Sequence, residues 1–131
     1  MPVGMLIILM KGANMLTLGQ LNENKVVTIH VQGKLTKTDY ERVLPDIEIM
    51  MNEHGVLKFY IKLEDFSGFD MDALWEDIKF DYKQQKQYGK IAIVGQKQWE
   101  EWGVKLSDLF FKSEVKFFYE EQAEQAWQWI N

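Results

Sequence analysis

The chain has 131 residues, 15 of them Lys or Arg and 20 Asp or Glu, for a net charge of -5. That length suits one domain, and the charge balance lacks the clustered cations needed to displace counterions from DNA or RNA, so no nucleic acid partner is expected. Cysteine is absent, which removes disulfides, thiolate zinc sites and cysteine nucleophiles together and fits a reducing, cytoplasmic setting.

The chain opens with an apolar run, MLIILM at residues 5–10, followed by Lys11. It is too short to span a bilayer, which takes about 20 apolar residues. It also lacks the basic region and the small-residue cleavage site of a signal peptide. A strand or an N-terminal extension is the expectation. Next, MLTLGQL and KVVTIHVQG form a hairpin joined across Asn22 and Asn24. In the second of these, Val27, Ile29 and Val31 alternate with Thr28, His30 and Gln32, the period of a strand with one wet face.

In TDYERVLPDIEIMMNEHG, Thr38 and Glu41 have capping-box spacing, and Tyr40, Val43, Leu44, Ile47 and Met51 make a helical stripe that Gly55 ends. Pro45 falls inside this helix and is expected to bend its axis. A second firm strand, VLKFYIKL, covers residues 56–63. The stretch after it reads as a loop feeding a helix over residues 70–88, with acids in its first turn and Lys79, Lys83 and Lys86 toward its end. KIAIVG, bounded by Gly89 and Gly95, reads as a buried parallel strand. A helix over residues 97–111 follows, faced by Trp99, Trp102, Leu106, Leu109 and Phe110. EVKFFY is the last strand, and Ala123, Ala126, Trp127 and Ile130 mark a C-terminal amphipathic helix. This order predicts an α/β fold: a mostly parallel mixed sheet with an antiparallel N-terminal edge hairpin and about four helices packed on it.

Enzyme signatures are not found. His30 and His54 belong to no ligand cluster and read as a solvent-facing strand histidine and a helix-end histidine, so no metal is expected. Ser67 in FSG lacks the nucleophile elbow and an identifiable histidine partner. VGQKQW, with a single glycine, is no phosphate loop, and no cofactor is expected. Between residues 64 and 82, seven carboxylates interleave with five large aromatics. The acids Glu64, Asp65, Asp70, Asp72, Glu76 and Asp77 suit a solvated loop and a helix N-terminus.

The aromatics point elsewhere. Phe66 and Phe69 would lie past the carboxyl end of one parallel strand, and Trp99 and Trp102 would begin the helix after the next. In open α/β sheets, that end is where ligands bind. Phe80, Phe111 and Trp129 fall off the main stripes of their helices, leaving a surplus that is exposed or covers a cavity.

Three segments, GKLTKTDYERVLPDIE, LEDFSGFDMDALWEDIKFDYKQ and KIAIVGQKQWEEW, together resemble the SpoIIAA-like family, relatives of the STAS domains of anti-sigma factor antagonists and sulfate transporters. The resemblance covers residues 15–131 and leaves residues 1–14 as an extension outside it, either genuine or the product of an early start codon. It implies a STAS-like single domain. Anti-sigma antagonists carry an Asp-x-Ser at a strand end, which Asp65-Phe66-Ser67 resembles. They also carry a later Asp-Ser-Ser with the phosphorylated serine, where this chain reads Asp72-Ala73-Leu74 and lacks the phosphoacceptor.

Two functions remain open from these residues. In the first, a non-enzymatic regulatory or ligand-binding module holds an apolar small molecule or lipid between the helices beginning near Asp70 and Lys97. Phe66, Phe69, Trp75, Trp99, Trp102 and Phe110 would form the walls, with Ser67 or Glu64 as polar anchors. Peripheral membrane contact would involve the helix over residues 97–111, although Glu100, Glu101 and Asp108 nearly cancel its lysines. In the second, the segment 64–72 is presented to a regulatory protein partner without phosphorylation. The edge hairpin and the exposed aromatics also offer surface for a homodimer.

Overall fold

The computed structural model describes residues 15–69, 88–96 and 114–131. β1 (Met15–Leu21) and β2 (Val26–Leu35) form the expected hairpin, with Leu16 opposite Val31 and Leu18 opposite Ile29. Asn22 makes the turn. Its side-chain oxygen accepts from the N–H groups of Asn24 and Val26, both at 2.9 Å, and Lys25 takes a φ of 63° to close the loop.

α1 (Lys37–His54) begins earlier than the sequence suggested. Its N-cap is Thr36, not Thr38: the Thr36 hydroxyl accepts from the Asp39 N–H at 3.2 Å and donates to Asp39 Oδ2 at 2.8 Å. β2 ends at Leu35, so Thr36 is the first residue free to take the extended backbone of a cap. Val43, Ile47 and Met51 are buried, Tyr40 and Leu44 half-buried, and Pro45 sits inside the helix on its exposed side. Gly55, at φ 78°, closes the helix by donating its N–H to the Met51 carbonyl at 2.9 Å.

The remaining strands are β3 (Leu57–Phe69), β4 (Tyr88–Gly95) and β5 (Val115–Tyr119). A 3-10 turn (Glu120–Gln122) then leads into α2 (Ala123–Ile130). The five strands lie in sequential order, β1-β2-β3-β4-β5, antiparallel in the first pair and parallel thereafter. Among the described residues the α-helices number two, not about four; the helices expected over residues 70–88 and 97–111 lie outside the described residues.

Strand alternation splits the core between two faces. Val27, Ile29, Val31, Phe59, Leu63, Ile91 and Ile93 pack with Val43, Ile47 and Met51 of α1. Val26, Tyr60, Ala92, Val94 and Phe118 pack with Ala126 and Ile130 of α2 on the other face. β4 is apolar from Ile91 to Val94 because it is covered on both faces, at 0–1% exposure for each of these residues.

The expected stripe on α2 needs one correction. Ala126 and Ile130 are fully buried, but Trp127 is 41% exposed and Trp129, expected off the stripe, is half-buried. At about 100° per residue, the two indoles flank the Ala126–Ile130 line at about 80° on either side. Trp127 therefore reaches toward β3, edge-on to Tyr60 at 5.2 Å, while Trp129 reaches toward β5, 6.1 Å from Phe118.

Candidate functional site

The segment expected as a loop after residue 63 is strand. β2 and β3 keep pairing to their ends, Gln32 with Glu64 and then Lys34 with Gly68 and Leu35 with Phe69. Between these pairs β3 carries more residues than β2, and the excess is taken up as a bulge. Its backbone shows the cost. Asp65 has φ 49°, Gly68 φ 109°, and Gly33 on the facing strand φ 71°. Asp65 is a non-glycine residue in left-handed territory, a conformation that asparagine and aspartate tolerate better than other residues.

The bulge decides where each side chain goes. Glu64 is half-buried, its Oε2 2.8 Å from Nε2 of His30 on the neighbouring strand. A carboxylate only accepts, so Nε2 carries the hydrogen of this bond. Asp65 and Ser67 are exposed. Phe66 is 9% exposed and belongs to the core beneath α1. The backbone N–H of Asp65 donates to Gln96 Oε1 at 3.1 Å, which ties the bulge of β3 to the residue that leaves β4.

Of the residues expected to wall a pocket, Phe66 is thus a core side chain, and Phe69 is the last residue of β3, paired with Leu35. Glu64 and Phe66 sit on opposite faces of the sheet, Glu64 with His30 and Phe66 with the α1 cluster. Ser67 remains available as an exposed hydroxyl. Trp75, Trp99, Trp102 and Phe110 lie outside the described residues.

Sequence reasoning left His30 as a solvent-facing histidine and missed its pairing with Glu64. The two residues are 34 apart, and only the parallel register of β2 on β3 brings them together. No group of three or more potential metal ligands occurs among the described residues. The His30–Glu64 pair resembles the base-and-orienter half of a triad, but among the described residues the hydrogen-bond partner of the imidazole is Glu64, not a nucleophile. Burial pushes the Tyr60 phenol above its usual pKa, and its hydroxyl donates to the Ala123 carbonyl at 3.4 Å. No helix among the described residues is long and apolar enough to cross a membrane.

The family model described as SpoIIAA-like matches residues 26–131, so the chain belongs to the SpoIIAA-like family. Comparison with curated proteins returns no match. A crystal structure of an uncharacterized DUF3478-family protein with a SpoIIAA-like fold, from Shewanella loihica PV-4, is similar at 26% identity and a TM-score of 0.72. That likeness covers 92% of this chain and 98% of the other. The fold expected from the sequence is therefore present: an α/β SpoIIAA-like domain built on a mixed five-stranded sheet.

Proposed function

We propose that the protein is a non-enzymatic binding module that takes an apolar small molecule or lipid at the carboxyl end of its parallel strands. The segments 70–87 and 97–113, which carry Trp75, Trp99, Trp102 and Phe110, would form the walls. The observation that carries this reading is the bond from the Asp65 N–H, at the bulge in the carboxyl half of β3, to Gln96 just after β4. In the chain, one aromatic-rich segment follows Phe69 at the end of β3, and the other follows Gln96, with Trp99 three residues on. Sequential parallel strands joined by right-handed crossovers send every crossover over one face. For β2 to β3 that is the face of α1, where Phe66 is buried. Ligands of open α/β sheets bind outside such strand ends.

Native mass spectrometry of freshly purified protein, beside a denatured and organic-extracted aliquot, tests this reading. A co-purifying small mass that is lost in Trp99→Ala and Trp102→Ala proteins supports it. A clean apo mass, with no apolar probe bound on titration, removes it.

A second reading draws on the bulge. Exposed Asp65 and Ser67, held out by a strained backbone at a strand end, suit presentation of this segment to a regulatory protein. Pull-down with Asp65→Ala and Ser67→Ala proteins as controls would separate this reading from the first.

A further inference from the structure

The opposite end of the sheet carries a feature that the ligand site does not use. Lys25, Lys58, Lys90 and Lys116 come from the beginnings of β2, β3, β4 and β5 or the residue just before them. The Lys58 N–H donates to the Lys25 carbonyl at 2.9 Å, which sets the first two side by side. Lys90 and Lys116 share the Trp129 ring, their Nζ atoms 5.1 and 5.8 Å from its centroid, and Lys116 also lies 5.6 Å from that of Phe118. Lys58 Nζ donates to the Asn131 main-chain oxygen at 3.3 Å.

Among the described residues none of the four forms a salt bridge. Exposed Glu23 and Glu114 lie close to the row in the chain, yet neither pairs with it. In a protein of net charge -5 with 20 acidic residues, four lysines without a salt bridge among the described residues gather at one edge. Trp127, 41% exposed on α2, adds an apolar surface edge-on to Tyr60, and Val56, 53% exposed, immediately precedes β3.

We propose that this amino-terminal edge docks an acidic, extended peptide segment of a partner protein. Charge complementarity and spacing support that occupant. Four adjacent strands at about 4.8 Å intervals spread the row over about 14 Å, and an extended peptide with an acid at every second residue repeats about every 6.8 Å, so three carboxylates span the same length. Lys90 and Lys116 lie over aromatic faces and have no carboxylate partner among the described residues, so a partner's acids can approach them without breaking a described ion pair. The net negative charge of the chain works against long polyanions, which favours a short acidic segment over nucleic acid.

The test is fluorescence anisotropy at low ionic strength with a short fluorescein-labelled peptide of alternating Glu and Thr. Binding should weaken at least about tenfold in a Lys90→Gln/Lys116→Gln protein and should weaken as salt is added. Lys25→Gln/Lys58→Gln, which leaves the Trp129 contacts intact, should weaken it as well and serves if the first variant folds poorly by circular dichroism. Lys62→Gln, toward the other end of β3, should bind normally. No peptide binding, equal binding by the lysine variants, or tighter binding to phosphatidylglycerol vesicles or a single-stranded oligonucleotide overturns the proposal.

Discussion

Replacing Phe66 by alanine separates a core role from a ligand-wall role. The side chain is 9% exposed and packs in the cluster of Val43, Ile47 and Met51. A buried aromatic removes about 150–250 Å² from water, worth about 4–6 kcal/mol at about 25 cal/mol per Å². Phe→Ala changes in cores cost about 3–5 kcal/mol once the cavity is included. Against a total stability of about 5–15 kcal/mol, that is a large share. Urea unfolding followed by circular dichroism should therefore show Phe66→Ala losing about 3–4 kcal/mol with an unchanged slope. Phe66→Leu, which refills most of the volume, should lose about 1 kcal/mol. A loss below about 1 kcal/mol for the alanine variant would show that Phe66 does not belong to the core of the folded protein.

Two further changes test the α2 side. Asn131→Ala removes the side-chain oxygen that accepts from Asn22 Nδ2 at 2.9 Å and Asn24 Nδ2 at 3.1 Å, the link between the end of α2 and the hairpin turn. Because these bonds are exposed, urea unfolding should register a loss of only about 1 kcal/mol, and a neutral result would mean the clasp does not form in solution. Tyr60 makes stability depend on pH at the alkaline end. Burial holds its folded pKa above the usual tyrosine value of 10.0, so the folded state holds the phenolic proton more tightly than the unfolded state does. This contribution is fully present below the unfolded pKa and is lost as pH rises through the folded one. Unfolding measured across that range should show wild-type stability falling more steeply than that of Tyr60→Phe; parallel curves would refute the assignment.

Much of the fold follows from local pattern. The alternation of Val27, Ile29 and Val31, the helical stripe of Val43, Ile47 and Met51, the apolar run of Ile91 to Val94 and the terminator Gly55 each act over a few residues, and all lie where the sequence placed them. Alternation and helical spacing decide which side of an element is apolar, and the right-handed crossover then limits how the elements assemble.

Tertiary structure decided what depended on partners distant in the chain. The acid-rich stretch after Leu63 has loop composition, yet it continues β3 because β2 extends beside it to Leu35 and supplies hydrogen bonds that composition does not reveal. The resulting bulge turns Phe66 into the core and leaves Asp65 and Ser67 outside, although the three are consecutive. Trp127 and Trp129 are equally distant from the centre of their helical stripe, and only the strands beneath α2 determine that the second is half-buried against Phe118 while the first is exposed. The register of β2 on β3 likewise pairs His30 with Glu64, and the sequential strand order collects four lysines at one edge. Local periodicity sets which face of an element is apolar, but register and strand order set which side chains meet, because those depend on contacts between residues far apart in the chain.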